Sequence, residues 1–285
     1  MKFGVREICD VVFKAKSDVK IGNTTFKKGQ PVLYIDSAKT STIEGAATTV
    51  YATGGHGNTR LIAWEGEKTL TFTVEDALLS PIGFAILSGA GLLKGTDEEL
   101  VHVHTTAHAY ANAGKIDLTD ALTTDEVVCE DAPIYVIPTD ADGGLAGAPI
   151  AGTAADKEVT AEGAEGSVFV DFYVSKKSSA VSELQIDAAN FAGYYYVEAS
   201  TLFRRQADGV DMPAELTFPN VKIQSNFTFN MASTGDPSTF TFTMDALPGY
   251  TLFNPTRKVL CAIQIVEDAV ANAGTIATVF PCDHE

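Results

Sequence analysis

None of the short signatures of common catalytic centres is present in this 285-residue chain: it has no Gly-x-Ser-x-Gly elbow, no His-Glu-x-x-His and no nucleotide-binding fingerprint. Its four cysteines, at 9, 129, 261 and 282, are far apart, so no Cys-x-x-Cys pair points to zinc or to thiol exchange. Their spacing fits buried thiols, with Cys282 free to cross-link neighbouring chains in an oxidising medium. Basic residues are few, 20 Lys and Arg against 37 Asp and Glu. Such a balance works against tight binding of nucleic acid through phosphate neutralisation. The stretch Met1 to Glu7 lacks the apolar core of a secretory signal, which predicts a protein not exported by that route. The uncharged run Ala77 to Leu93 contains Pro81 and three glycines and is short for a membrane span, so it reads as a buried helix and no membrane anchor is expected. Paired carboxylates such as Glu75-Asp76, Glu98-Glu99 and Glu130-Asp131 are chain neighbours, which a strand points to opposite faces. No catalytic residue and no cofactor is expected.

What is present is a globular composition, 45% hydrophobic and 20% charged, long enough to close a substantial core without disulfides. The net charge of −17 is concentrated in the middle of the chain: residues 111–200 hold 4 basic and 16 acidic side chains.

Alternation dominates. Leu70, Phe72 and Val74 interleave with Thr69, Thr71 and Thr73, and Phe240, Phe242 and Met244 with Thr239, Thr241 and Thr243. Both are strands with one wet face. Val221, Ile223, Phe227, Phe229 and Met231 keep one parity, with Ser225 as a polar gap, and Asp236-Pro237 follows, so 221–244 reads as a long hairpin. The segments beginning at Thr69 and Thr239 resemble each other with a one-residue offset, by convergence or by internal duplication. Thr48 to Ala52 and Leu61 to Trp64 flank Gly54-Gly55-His56-Gly57-Asn58, a turn that glycines permit. Ser80 as cap, Pro81 at the first helical position and Gly89 as left-handed stop predict a helix over 80–89. Short helices are possible around 182–190 and 267–273. From about 112 the texture becomes acidic and rich in Ala, Gly and Pro, with strands near Ala132–Ile137 and Val168–Val174. The expected organisation is a discontinuous β-domain, 1–111 with 187–285, carrying an acidic β-rich insertion at 112–186.

His102, His104 and His108 form H-x-H-x-x-x-H, and a strand would turn all three to one side. That spacing fits a cupin-like metal site, although the acidic ligand usual near the position of His108 is missing. Histidines on a polar strand face or at a subunit contact are the favoured reading. Tyr194-Tyr195-Tyr196 beside Phe203-Arg204-Arg205 suits either a partner patch or core-and-rim packing.

The stretch Tyr51 to Lys68, running into Thr69–Ser88, resembles virion structural proteins of large tailed bacteriophages, as does Val221–Tyr250 with its Thr234-Gly235-Asp236-Pro237 turn. Within that group the layout is most similar to a tail tube protein. The resemblance implies a mainly β fold, an antiparallel sandwich or barrel with a short flanking helix, and no enzymatic activity. It implies self-association into stacked rings, a hexamer or, if the internal match is a duplication, a pseudo-sixfold trimer. Other tail proteins would be partners, and DNA would pass without specific binding during genome ejection. The location implied is the virion tail, after assembly in the host cytoplasm. Expected subunit contacts are Gly54, Gly55, Gly57, Asn58, Arg60, Trp64, Phe229, Phe240 and Phe242. The alternatives are another virion component, such as a decoration or sheath-associated protein, or a cupin-like enzyme using the three histidines.

Overall fold

The computed structural model describes residues 2–5, 7–93, 100–123, 126–186, 188–228, 231, 233–234 and 238–267. In chain order the principal elements are β1 (Asp10–Ala15), β2 (Pro31–Ile35), β3 (Ala38–Gly54), β4 (Thr59–Asp76), α1 (Pro81–Ser88), β5 (Leu100–Asn112), β6 (Lys115–Asp117), β7 (Tyr135–Pro138), β8 (Gly166–Lys177), β9 (Tyr194–Arg205), β10 (Asp211–Ile223), β11 (Phe240–Ala246) and β12 (Ala262–Ile265). The described chain is mostly strand in antiparallel ladders, one sheet is nearly closed in the manner of a barrel, and there is a single α-helix. It divides into two compact units, Met1–Leu92 with Leu184–Glu285, and Leu93–Glu183.

Unit 1 is built on a sheet of order β2-β1-β9-β10-β11-β4-β3, with Phe3–Val5 added to β9 and β12 to β10. Alternate residues of each strand fill one face: Phe13, Phe72, Phe218, Ile223, Phe242 and Met244 are all fully buried there. Phe72 stacks on Phe218 at 4.7 Å, and Phe13 lies 5.9 Å from Phe242. Ile86 and Leu87 of α1 join the same core. The helix begins and ends where the sequence predicts. The Ser80 hydroxyl accepts from the Gly83 N–H at 3.0 Å, Pro81 opens the first turn, and Gly89 closes the helix in the left-handed conformation.

The two self-similar segments turn out to be neighbours. β11 runs antiparallel to β4 with Thr243 opposite Thr73, Phe242 opposite Val74 and Met244 opposite Phe72. A local two-fold through the Thr73–Thr243 pair therefore relates them, and both bury the same parity.

The expected hairpin over 221–244 forms only at its base, where β10 and β11 are antiparallel neighbours. β10 ends at Ile223, and its ladder with β11 covers only Val221 to Ile223. Most of β10 pairs with β9, while β11 pairs with β4. The polar gap at Ser225 marks the departure: its hydroxyl accepts from the Ala192 N–H at 2.9 Å, and Phe227 then packs edge-on against Phe84 of the helix. Phe229 and the turn residues Gly235 to Pro237 lie outside the described residues. The helix expected at 182–190 is replaced by a short strand, Glu183–Gln185. Residues 268–273 of the other expected helix, and Cys282, lie outside the described residues.

Unit 2 has its own sheet, of order β7-β8-β5-β6 at its centre, flanked by short strands. β5 pairs with β8 along almost its whole length, from Leu100–Lys177 to Ala111–Gly166. Val168, Val170, Phe172 and Val174 of β8 form the middle of a separate core with Val136, Ile116 and Val159. The change of texture at 112 falls at the end of β5, and the ladder with β8 is what places that strand in unit 2.

Burial also sets an alkaline limit on unit 1. Tyr195 is packed edge-on against Phe13, and desolvation pushes its hydroxyl from 10.0 up to about 12. With the folded value above the unfolded one, the stabilising contribution is complete below pH 10. It is lost as pH rises through the folded value, about 3 kcal/mol in all. Cys261, pushed by burial from 9.0 to about 11, adds a loss beginning one unit lower. Tyr195→Phe keeps the ring and removes the proton, so its denaturant midpoint is expected to fall less between pH 10 and pH 12 than that of the parent chain. Parallel curves for the two proteins would contradict this.

Candidate functional site

β3 and β4 form a hairpin of 17 and 18 residues, far longer than the five or six usual for a strand. Only the end of β4 nearest the core is held on its other side, where Thr71 to Asp76 pair with β11. Residues 59–68 are supported by β3 alone, which at ~3.3 Å per residue makes a two-stranded arm roughly 30 Å long. An isolated two-stranded ribbon is marginal in water, so such an arm calls for a partner surface.

The tip is the expected glycine turn. Gly55 and Gly57 have φ of 79° and 86°, Asn58 follows at 49°, and the Asn58 N–H donates to the Gly55 carbonyl at 3.2 Å. Nothing lies within 4 Å of where a Cβ would stand on Gly55 or Gly57. Below the tip, Val50 faces Trp64 and Ala52 faces Ile62, so Val50, Ile62 and Trp64 share a side. They are 63%, 55% and 53% exposed, a large apolar surface to leave in water. On the other side the Arg60 guanidinium lies 4.1 Å from the centre of the Tyr51 ring.

The outer edge of β3 is free. This strand ends the sheet, and among the described residues no strand pairs with its far side. Its charged residues are Lys39 and Glu44, leaving 45–54 with none. The opposite edge, β2, is five residues long and starts with a proline. Proteins blunt strand edges with charge, proline or brevity, and β3 has none of these over its outer half.

The wet side of the sheet next to the arm is a lattice of hydroxyls and carboxylates. Register sets Thr42, Thr73 and Thr243 in one row, Thr40, Glu75 and Thr241 in a second, and Glu44, Thr71 and Asp245 in a third. Glu75 accepts from the Thr239 hydroxyl at 2.5 Å and from that of Thr40 at 3.2 Å, and these bonds hold its carboxyl below the usual range. Asp245 accepts from Gln224 at 3.1 Å.

The sequence-derived candidates thus separate. Gly54, Gly55, Gly57, Asn58, Arg60 and Trp64 come together on the arm. Phe240 is half-buried opposite Asp76, and Phe242 is fully buried on Phe13. A side chain placed as Phe242 is holds unit 1 together and is not offered to a neighbouring subunit. Arg204 and Arg205 are occupied by Asp211 and Asp208, and of the three tyrosines only Tyr195 is in the core. His102, His104 and His108 do share one face of β5, but they engage different neighbours. His104 Nε2 is 2.6 Å from Asp171, His102 Nδ1 is 3.2 Å from the Ser175 hydroxyl, and His108 lies against Phe169. Among the described residues no three His, Cys, Asp or Glu side chains converge as metal ligands would. Cys9, Cys129 and Cys261 are free thiols. The sequence alone does not join the carboxylates and threonines into rows; the Thr alternation of β4 and β11 is their visible half.

A mainly β chain whose sheet ends in a free strand edge, without charge from 45 to 54, and extends as a two-stranded arm with one exposed apolar side has an architecture suited to strand contacts. Residues 3–252 match the YomU/Tube protein family, and the chain belongs to it. The membership agrees with the likeness to tail tube proteins drawn from Tyr51–Ser88 and Val221–Tyr250. Comparison with curated proteins gives no match.

Proposed function

We propose that this chain is a structural subunit of a phage tail tube, and the free edge and apolar arm of β3 and β4 carry the proposal. Copies associate by covering that arm, converting an aggregation hazard into the assembly contact, and a closed ring satisfies every edge at once. A hexamer is the favoured ring; a trimer with pseudo-sixfold symmetry is the alternative, and it would need repeated units related by a sixty-degree turn about the ring axis, whereas β4 and β11 are related by a two-fold within one sheet. Rings stack through the glycine tips at 54–58. The rows of threonine and carboxylate supply a wall that repels phosphate and suits a lumen through which DNA slides without binding during ejection. Unit 1 is the tube-forming part and unit 2 an acidic insertion into it. The role is structural rather than catalytic, the partners are other copies and other tail proteins, and the location is the virion tail.

Sedimentation velocity over a rising concentration series tests this. The expected result is a shift of mass from monomer to one closed oligomer and then to larger stacks, which a strictly monomeric boundary at every concentration would overturn.

A further inference from the structure

Unit 2 carries a face whose chemistry differs from the rest of the chain. Along the middle of β5 and β8, from His102 to Tyr110 and from Ser167 to Ser175, the residues that point away from the core are aromatic, imidazole or hydroxyl apart from Asp171: Tyr110, Thr106 and the three histidines on one strand, Ser167, Phe169, Tyr173 and Ser175 on the other. On β7, Tyr135 continues the surface opposite Asp171. From His102 to Tyr110 and from Ser167 to Ser175, Asp171 is the only formal charge. Yet unit 2 holds 5 Lys against 17 Asp and Glu.

We propose that the β7-β8-β5 face binds a neutral polysaccharide. Rings supply the flat apolar contacts: Tyr110 is 71% and Tyr135 46% exposed. The register puts Tyr135 level with Thr106, two strands away, and Tyr110 four residues further along β5. The two rings are therefore offset by about 13 Å along the strands and about 10 Å across them, which suits a chain of sugars better than a single one. Thr106 and His108 stand between the two rings, and His104 and His102 continue the same face beyond Tyr135, so the path along β5 is lined with groups that both donate and accept, as sugar hydroxyls require of a partner. They are held in place: His104 by Asp171 at 2.6 Å, His102 by Ser175 at 3.2 Å, and the His104 ring against Tyr173 at 5.4 Å. Charge selects among ligands. A polyanion meets the field of a unit with a large acidic excess, whereas a neutral polyhydroxylated chain brings no charge to be repelled. A protein partner would want aliphatic, Trp or Arg anchors at the centre, where this face has imidazole and one carboxylate.

The test uses the full chain in native gels cast with dextran, mannan, galactan or a β-1,3-glucan, and with hyaluronate as the anionic control. Retardation by at least one neutral polymer and none by hyaluronate is expected. The Tyr110→Ala/Tyr135→Ala double variant removes exposed side chains only, so its melting temperature should be unchanged while its affinity falls at least about tenfold. Failure of all four neutral polymers to retard the parent chain would overturn the proposal, as would equal retardation of parent and variant. A variant that instead loses self-association in sedimentation would overturn it too, by assigning the face to contacts between copies. Loss of glycan retention with sedimentation unchanged supports the glycan site independently of the tube.

Discussion

Replacing Trp64 with Asp is expected to abolish assembly while leaving the subunit folded. In the single chain Trp64 is half exposed on a two-stranded arm, opposite Val50, and touches nothing in the main core. Surface substitutions of that kind change stability by no more than ~0.5 kcal/mol. In a ring the same side chain becomes a buried anchor, and Trp is the residue type whose truncation at an interface most often costs 2 kcal/mol or more. Aspartate adds an unpaired buried charge, so each contact should weaken at least about a hundredfold. A closed ring repeats the defect at every interface. Sedimentation of Trp64→Asp should show monomer at concentrations where the parent forms oligomers, with the two melting temperatures alike. Oligomers of undiminished size would remove the arm from the assembly contact.

Gly89→Ala is expected to produce the largest loss of stability from any single methyl group in unit 1. The residue closes α1 at φ 73°, a conformation that costs an alanine about 1 kcal/mol. The added Cβ would also stand 2.4 Å from the Phe191 carbonyl carbon and 2.7 Å from the Ala192 nitrogen. Both are backbone atoms, so no rotamer relieves the clash. Either the helix lifts from its core, where Ile86 and Leu87 are buried, or the segment leading into β9 moves. A total cost of at least ~3 kcal/mol follows, a drop of several degrees in melting temperature for a chain of this size. Gly55→Ala provides the comparison. Its φ is 79°, but nothing lies within 4 Å of its Cβ, so the conformational cost stands alone at about 1 kcal/mol. Equal losses in the two variants would show that the contact with Phe191 carries no weight.

Local chemistry made much of this fold legible. The Thr alternation of 69–74 and 239–244 foretold one dry and one wet face, and Ser80, Pro81 and Gly89 marked both ends of the helix, because caps act within a turn of the residues that make them. Pairing between distant segments was not legible. Nothing near Thr239 says that its strand will pair with Thr71–Asp76 over most of its length and meet β10 only at Val221–Ile223, since parity fixes a strand's face and not its neighbour. Phe227 misled for the same reason: its parity continued that of Ile223, but its ring serves the helix, at Phe84. The arm was visible as two strands around a glycine turn. That it extends beyond the sheet, apolar and with a free edge, follows only from β11 stopping at Thr71, a contact formed across more than a hundred and sixty residues. The pattern of three histidines was read correctly as one strand face. Which side chains surround it depended on β8, whose register no local signal specifies.

Electron microscopy of the purified chain at high concentration tests the central claim most directly. Rings of a single diameter, stacking end to end into hollow tubes, are what a subunit joined through the β3 and β4 arms produces. Dispersed particles with no ring in any projection, under conditions where Gly89 and Trp64 are intact and the chain is folded, would contradict it.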